Sequence, residues 1–360
     1  MIAIRPRSGE RGYEDRFNVA DRIDQSASPW PHRVACLLVC ATFPLIFVGG
    51  LVTTTDAGMA VPDWPTTYGY NMFLYPWQSW LAAPWDLFVE HGHRLFAALV
   101  GLLTIGLLIT LWRCDNRRWM LRLGWIALGL VVFQGVLGGL RVTENSRTLA
   151  MVHGCVGPAF FALCVALAVF TSPWWREPRG RSVDDLCPAI DARKLGRLSL
   201  ITTGLAYLQL VLGAQLRHAD VAAEPGQFQA FVALHLFAAL ALLVHGGLIA
   251  ARAWRTHRQE PRLLRPANGL LGLMVLQVLL GAATWILKYG WPAWFKRFAW
   301  AQGHLNVSES LAQVLATTSH VAIGSLIVAI ALLLSLRAAR LRPKMQRVAH
   351  SSASLAGAVA

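Results

Sequence analysis

Charged residues are scarce in this sequence. Only 14% of its 360 residues are Asp, Glu, Lys or Arg, whereas soluble globular domains carry about 25%. Hydrophobic residues make up 55% of the chain, and its mean hydropathy is +0.46. Water therefore cannot be the solvent for most of the surface, and a soluble fold is excluded.

Acidic residues are the scarcer charge, with 19 Asp and Glu against 33 Lys and Arg and a net charge of +14. A strongly basic chain raises the question of nucleic-acid binding. Here, however, the basic residues form short clusters between long apolar runs and do not follow one soluble face. The pattern excludes nucleic acid as a partner and is typical of a membrane protein, as is the presence of 15 Trp.

The cysteines form no Cys-x-x-Cys pair and fall mostly inside apolar runs. We interpret them as buried thiols and predict neither a disulfide framework nor a zinc site. The six are Cys36, Cys40, Cys114, Cys155, Cys164 and Cys187.

Long apolar runs are abundant, and crossing a bilayer as a helix takes about 20 such residues. Eight runs meet this requirement, so the sequence predicts an all-α integral membrane fold with eight transmembrane helices. The predicted spans are 34–54, 91–112, 123–142, 149–171, 198–217, 229–251, 267–287 and 312–336.

Basic residues alternate sharply between the two sides of these spans. The segments 1–33, 113–122, 172–197, 252–266 and 337–360 hold six, four, six, five and five Lys or Arg, and the opposite side holds the other seven. The positive-inside rule then predicts that both termini are cytoplasmic. Residues 1–33 contain no apolar stretch and several acids, which argues against a cleaved signal or a mitochondrial transit peptide and favours a bacterial plasma membrane.

A short pattern recurs in odd-numbered spans. It runs from Gln134 to Gly138-Gly139 in the third span, from Gln209 to Gly213-Ala214 in the fifth and from Gln277 to Gly281-Ala282 in the seventh, with a weaker echo at Gly49-Gly50 in the first. The repeat predicts two similar four-helix bundles, 34–171 and 198–336. They are flanked by a cytoplasmic segment 1–33, a linker 172–197 and a basic tail 337–360. Ordinary small-residue helix packing is the alternative explanation of each single motif.

Each of these spans is followed by one that carries a histidine near its outer end: His93, His153, His235 and His320. A histidine in hydrocarbon is costly unless it is paired or liganded, and two facing imidazoles can hold a heme iron. Four histidines therefore allow two hemes. The residue four positions later is always small, which predicts clearance for a porphyrin, although histidines bonded to Ser, Gln or backbone groups remain the alternative.

The string Glu90-His91-Gly92-His93-Arg94 opens the second span. Glu90 and His93 are three residues apart and share a helix face, so Glu90 is a candidate to move protons or stabilise positive charge; an ordinary helix-start acid is the alternative. Arg94, Arg141 and Arg217 are candidates to bind heme propionates. Pairing with Glu90 is the alternative for Arg94, and interfacial snorkelling is the alternative for Arg141 and Arg217. The aromatic outer loop at 55–88 is interpreted as a lid or as a plain aromatic belt.

Over residues 36–336 the chain resembles the heme A synthase family. The resemblance rests on the eight-span duplicated layout, the Glu90-x-x-His93-Arg94 string, one histidine in each later even-numbered span, the Gly49–Thr55 stretch and Pro62-Asp63-Trp64-Pro65.

The resemblance implies oxidation of the C8 methyl of heme O to a formyl group, giving heme A. His93 and His153 would hold the substrate heme, His235 and His320 a resident heme b, and Glu90 would be the catalytic acidic residue. A quinol or a reductase would supply electrons, with heme O synthase and oxidase assembly proteins as further partners. Some family members carry cysteine pairs in outer loops, and this chain has none there.

Other functions remain open on the sequence. A diheme cytochrome for quinol electron transfer would share the four histidines without requiring Glu90. A non-catalytic heme chaperone or oxidase assembly factor would also bind heme, and it predicts that Glu90→Ala leaves heme A production intact. A transporter lacks mid-membrane acids in support, and a heme-prenylating enzyme is disfavoured because paired Asp-rich Mg²⁺ motifs are missing.

Overall fold

The computed structural model describes residues 28–177, 186–219, 224–295, 297–302 and 305–341. Most of the predicted segment 1–33, part of the linker 172–197 and most of the tail 337–360 lie outside the described residues. The division of the chain at these boundaries stays a prediction.

All eight predicted spans are helices in the structure, and each is long and apolar enough to cross a bilayer. The chain is therefore a multi-pass membrane protein. The helices extend a few residues beyond most of the predicted ends, where polar and aromatic residues continue the last turns. They are α1 (Trp30–Thr54), α2 (Trp85–Cys114), α3 (Arg118–Thr143), α4 (Arg147–Thr171), α5 (Leu186–Arg217), α6 (Pro225–Thr256), α7 (Pro261–Tyr289) and α8 (Leu311–Arg340).

Local sequence explains where several helices begin. Ser146 and Ser310 precede α4 and α8, and their hydroxyls accept hydrogen bonds from the backbone of Leu149 and Gln313, both at 3.3 Å. Such caps satisfy amide groups that have no partner within the helix. Pro225 and Pro261 occupy the first position of α6 and α7, where proline's missing N–H carries no cost.

The helices contact one another in two closed rings. In the first, α1 packs on α2, α2 on α3, α3 on α4 and α4 on α1; in the second, α5 packs on α6, α6 on α7, α7 on α8 and α8 on α5. The rings meet where α8 contacts α1 and α4, and where α4 contacts α5. These contacts support the proposed division into an N-terminal and a C-terminal half.

The buried apolar side chains follow the same arrangement. One cluster lies within α1–α4 around Leu38, Leu107 and Phe160, and a second lies mainly within α5–α8 around Ile249 and Leu270. A small third cluster, which contains Phe161, Val165 and Ala329, joins α4 to α8. Helices α4 and α8 are accordingly the most buried: 61% and 50% of the residues in their most apolar stretches lie inside the protein. The other helices present more of their surface to lipid.

The segment between α1 and α2 is an ordered outer loop. It contains a 3₁₀ turn (Ala57–Met59), a hairpin of two short strands, β1 (Thr66–Thr67) and β2 (Tyr70–Asn71), a second 3₁₀ turn (Met72–Leu74) and a short helix (Trp77–Leu81). Asp63 holds the hairpin by accepting bonds from the Thr66 hydroxyl and from the backbone of Tyr68 and Gly69. Burial opposes ionisation of Asp63, but these bonds outweigh it and lower the pKa.

The side of the bundle opposite this loop has its own polar anchor between α2 and α3. Asp115 has a side chain only 2% exposed and forms ion pairs with Arg117 at 2.6 Å and Arg176 at 2.7 Å. Burial alone would raise the pKa of Asp115, yet the bonds and charges of these two arginines lower it below the usual value. The short helix Pro173–Arg176 is thereby fixed beneath the N-terminal half.

Shorter elements complete the described chain. The loop between α7 and α8 contains a 3₁₀ turn (Ala293–Phe295) and a four-residue helix (Ala299–Gln302). The predicted thiols are partly confirmed: Cys36, Cys40, Cys114, Cys155 and Cys164 are free, Cys164 is buried, and Cys40 is exposed on the lipid-facing side of α1. The side chain of Cys187 lies outside the described residues.

Candidate heme-binding site

The four histidines of the even-numbered helices each rest on a glycine of the preceding odd-numbered helix. A Cβ atom placed on Gly49 or Gly281 would lie 3.0 Å from Cε1 of His93 or His320. On Gly138 or Gly213 it would lie 3.1 Å from Cε1 of the ring that follows. We call these four places the glycine notches: Gly49 with His93, Gly138 with His153, Gly213 with His235, and Gly281 with His320. The sequence repeat is thus a repeated seat for an imidazole.

The glutamine of the repeat binds the backbone beside the seated histidine. Nε2 of Gln134 donates to the carbonyl oxygen of His153 at 3.1 Å, and Nε2 of Gln277 donates to that of His320 at 2.9 Å. A helix carbonyl can accept this second bond without losing its own partner, so the glutamine fixes the depth of one helix against the next. The register of His153 and of His320 is therefore set by two residues of the same preceding helix.

At two of the four places, the small residue four positions after the histidine is a glycine that lies against this glutamine. A Cβ on Gly157 would lie 3.2 Å from Nε2 of Gln134, and a Cβ on Gly324 would lie 3.2 Å from Nε2 of Gln277. That these two glycines also clear space for a porphyrin stays a prediction. They clear space for the amide that bridges the two helices.

In the C-terminal half the imidazole rings of His235 and His320 face one another at a distance that suits a shared metal. The ring centroids of His235 and His320 lie 6.4 Å apart, with an angle of 58° between the ring planes. Two imidazoles bound to one metal through bonds of about 2.0 Å place their ring centres about 6 Å apart. The donor set therefore fits an iron held from both sides, as in six-coordinate hemes.

At one of the four histidines, a hydrogen bond at the other ring nitrogen agrees with this arrangement. Nδ1 of His153 lies 3.1 Å from the carbonyl oxygen of Gln134, and a bond there fixes the tautomer that leaves Nε2 free for a metal. Nδ1 of His93, His235 and His320 is buried and has no partner of good geometry among the described residues, although the backbones of Gln209 and Gln277 lie beside the last two.

In the N-terminal half, His93 is near enough to His153, Arg94 and Arg141 to interact with each electrostatically. The structure therefore brings all four predicted metal ligands into two neighbourhoods, one in each half. Neither grouping includes an acidic ligand.

Glu90 and Arg94 face the outer loop. The Glu90 side chain is 2% exposed, and its carboxylate accepts bonds from Nη2 of Arg94 and from the backbone of Val61, both at 2.9 Å. Arg94 also donates to the carbonyl oxygens of Val61, Asp63 and Thr66 at 2.7–3.0 Å. Both terminal nitrogens of Arg94 are thus engaged, and the structure favours its pairing with Glu90 over the predicted propionate contact.

The other two predicted propionate ligands differ from each other. Nη2 of Arg217 donates to the Gly50 carbonyl at 3.0 Å and to the Thr54 hydroxyl at 2.7 Å, so this side chain joins the C-terminal half to the end of α1. The guanidinium of Arg141 makes no hydrogen bond within the described part of the chain and packs against Gly58, where a Cβ would lie 2.7 Å from Nη1. Arg141 is the stronger candidate for an anionic group.

The surroundings of His218, just beyond α5, report the charge at this outer face. Burial, followed by the charges of Arg217, Arg141 and Arg147, lowers the pKa of His218 to about 4. Three arginines from α3, α4 and α5 thus converge where the two halves meet. Such a region attracts carboxylates.

Two further histidines have ordinary protein partners. His91 is 2% exposed; its Nδ1 lies 3.1 Å from the Thr67 hydroxyl, and its ring packs between Tyr75 and Trp80. Nδ1 of His245 lies 3.1 Å from the hydroxyl of Thr202, within the C-terminal half. Both side chains are therefore held by protein groups outside the two histidine pairs.

Sequence reasoning missed the seat of one aromatic ring. The indole of Trp64 lies directly against Gly139, where a Cβ would stand 2.5 Å from Cε2 and 2.6 Å from Cε3. The signal was present in the sequence, because Gly139 is the second glycine of the repeat and the fifth and seventh spans carry alanine there.

Comparison with known proteins gives a family match that covers mainly the N-terminal half of the chain. A family model described as cytochrome oxidase assembly protein (COX15-CtaA) matches residues 32–224, which include Glu90, His93 and His153. The second pair of histidines lies beyond the match, so its equivalence rests on the internal repeat.

Curated relatives carry two names. A protoheme IX farnesyltransferase of Halobacterium salinarum is 30% identical over 229 residues, which is 59% of this chain and 46% of that protein. A heme A synthase of Staphylococcus haemolyticus is 28% identical over 197 residues (53% of this chain, 60% of that protein), and one of Brucella ovis is 30% identical over 155 residues, 41% of each.

The chain spans about half the length of the curated relatives it matches. The family match, in contrast, covers more than half of this chain. The chain belongs to the COX15-CtaA family of cytochrome oxidase assembly proteins.

Proposed function

We propose that this chain is a heme A synthase, which oxidises the C8 methyl of heme O to a formyl group. The observation that carries the proposal is the fourfold glycine notch, which seats one imidazole in each even-numbered helix and brings His235 and His320 to a centroid distance of 6.4 Å. The names of the relatives that match the chain support heme O and heme A as the substrate and product.

The two halves have different roles in this proposal. His93 and His153 hold the substrate heme, and His235 and His320 hold a resident heme b. Heme b, when bound, would supply electron transfer to the reaction. The protein's own contribution is to fix the imidazoles, through the notches and through Gln134 and Gln277, at one depth of the bilayer.

Glu90 is the acidic residue of the N-terminal half, and it is held rigidly. Its two bonds orient the carboxylate on the same helix that carries His93. A carboxylate so placed can move a proton or stabilise positive charge near the reacting methyl group. Arg141 binds a propionate of the substrate from the outer side.

The remaining partners follow from the reaction. Conversion of a methyl to a formyl group is a four-electron oxidation that adds one oxygen atom, so the reaction requires an oxidant. With dioxygen as the oxidant, two successive hydroxylations each consume one O₂, two electrons and two protons and release one water, and the resulting gem-diol loses a further water to give the formyl group. A quinol or a reductase is proposed to supply these electrons. Heme O synthase would supply the substrate and oxidase assembly proteins would receive the product. The proposed location is the plasma membrane with both termini cytoplasmic, as the charge distribution indicates.

The heme content of the purified protein tests the proposal. We expect extraction and mass spectrometry to find heme b together with heme O or heme A after expression in cells that make heme O. Heme b alone in both halves, with heme A absent from the cells, would instead identify a diheme cytochrome. Protein without heme from iron-replete cells would contradict both functions.

The glycine notch gives a second test, in the C-terminal half. Replacing Gly281 by valine places side-chain atoms where Cε1 of His320 lies 3.0 Å from a Cβ position, so the imidazole must shift. We expect retention of the resident heme to fall by at least about 10-fold, the lower end of the effect of disturbing groups that orient a metal ligand. Gly272→Val on the same helix is the control, because a Cβ there meets nothing within 4 Å. Equal heme content in both variants would show that the notch does not set the ligand.

A further inference from the structure

The outer loop is clamped along a short stretch next to the N-terminal site. Glu90 accepts from the backbone of Val61, and Arg94 donates to the carbonyls of Val61, Asp63 and Thr66. Four bonds from one turn of α2 therefore fix the segment 61–66. Such a segment holds its side chains in place far better than a loop joined to the helices only at its ends.

Trp64 is the large side chain in this clamped segment. Its indole lies on Gly139 of α3, and the preceding residue, Gly138, is the notch of His153. Successive residues of a helix point about 100° apart, so the indole and the imidazole occupy adjacent faces of the same turn. Trp64 keeps 38% of its surface exposed, and the indole is therefore available to a ligand of that half.

The seat under Trp64 is specific to the N-terminal half. At the equivalent positions of the repeat the fifth and seventh spans carry Ala214 and Ala282, whose methyl groups take the space that an indole needs. In the first span, Gly50 instead meets the side chain of Thr318, with Cγ2 at 3.0 Å from a Cβ position. Among the described residues, the third span alone combines a histidine notch with a tryptophan seat.

Two axial imidazoles leave one freedom of a porphyrin undetermined. Both ligands lie on a single axis through the metal, so they fix the height and tilt of the macrocycle but not its rotation about that axis. A reaction at one methyl group needs that rotation fixed, because a misplacement of about 1 Å at a reacting centre costs about 100-fold in rate. A rigid group at the edge of the macrocycle can supply the missing restraint.

We propose that Trp64 is a positioning residue of the N-terminal heme site. Its indole, seated on Gly139 and clamped through Glu90 and Arg94, forms the outer wall that sets the rotation of the substrate heme. This inference rests on the proposed function and deepens it, because it names the group that selects the methyl to be oxidised. The resident heme of the C-terminal half has no such wall at the equivalent alanines.

The test uses protein purified with ferric heme O from cells that make heme O. Heme methyl signals in the proton NMR spectrum report how many rotational orientations of the bound heme are populated, and His93→Ala assigns the signals of the N-terminal half. We expect one dominant orientation in the unaltered protein and at least two in Trp64→Ala. We also expect heme transfer from this site to apomyoglobin to be about tenfold faster, the upper range of one aromatic contact.

Further variants distinguish loss of the indole wall from a general disturbance of the fold. Gly139→Ala forces the indole off its seat and should reproduce the effect of Trp64→Ala, and the double variant should add nothing, because both changes remove one contact. Gly135→Ala lies one turn earlier on α3, where a Cβ meets nothing within 4 Å, and should leave the spectrum unchanged. Trp64→Phe should restore most of the single orientation.

Each failure has its own signature. Signals of the C-terminal heme serve as the check on folding in every variant. A single orientation and an unchanged release rate in Trp64→Ala and Gly139→Ala, with heme bound in both halves, would overturn the role of Trp64 and leave the proposed function standing. Absence of heme O from the unaltered protein would overturn the proposed function, and this inference with it.

Discussion

Replacing His93 by alanine is expected to empty one heme site and to leave the other filled. His93 lies in the N-terminal half on the notch at Gly49, whereas His235 and His320 form their own pair across α6 and α8. Loss of an axial imidazole should weaken heme retention by more than about 100-fold, because loss of only a supporting hydrogen bond already costs 10–100-fold. Heme A formation should stop while heme b remains bound.

The reciprocal variant completes this prediction. His320→Ala should remove the resident heme and spare the heme O site. The matched control is His245→Ala, since His245 lies in the same half but bonds Thr202 and should leave both hemes in place. The measurement is heme extracted per chain, with the low-spin spectrum of six-coordinate iron. Loss of all heme from either single variant would contradict two separate sites.

This outcome depends on the feature that the sequence predicted best. A histidine in an apolar run is visible without any structure, because hydropathy locates the helix and the cost of burying an unpaired imidazole marks the residue. The eight helices and the positions of His93, His153, His235 and His320 followed from such local arguments. The family match over residues 32–224 confirms the resemblance that these residues suggested.

Contacts between helices were much harder to predict. The sequence showed that Gly138 and Gly281 recur, but whether a small residue receives a lipid, a porphyrin or a side chain depends on the rotation and depth of the neighbouring helix. Periodicity gives the face of a helix and not its register against a partner. The sequence therefore did not predict that Gly157 lies against the amide of Gln134.

Charged residues were predicted as candidates and sorted only by the fold. Arg94, Arg141 and Arg217 were equally good candidates to bind a propionate on the sequence, since all three lie at predicted outer ends of helices. The structure gives Arg94 to the outer loop and Arg217 to the end of α1. Of the three, Arg141 alone has a side chain without a hydrogen bond among the described residues. The sequence could not single it out, because its neighbour, Gly58, comes from a loop whose path the sequence does not specify.

Glu90→Gln is expected to cause the second large loss of heme A formation. It distinguishes a catalytic function of this chain from a heme chaperone function. The carboxylate accepts one bond at each oxygen, from Val61 N and from Arg94 Nη2. A glutamine of the same size can accept at one position only, since its NH₂ group must face a donor at the other. One bond and the charge that balances Arg94 are lost, while the three carbonyl bonds of Arg94 still hold the loop.

We therefore expect Glu90→Gln to keep both hemes bound and to lower heme A formation by about 100-fold to 10,000-fold, the range for removing a proton-transferring group. Asp86→Asn is the control, because Asp86 lies one turn earlier on α2 and bonds only the adjacent backbone of Leu87. Heme A is measured per cell and bound heme per purified chain. A Glu90→Gln or Glu90→Ala protein that still supports normal heme A levels would identify a heme chaperone, since such a protein needs the histidines and has no use for an oriented carboxylate.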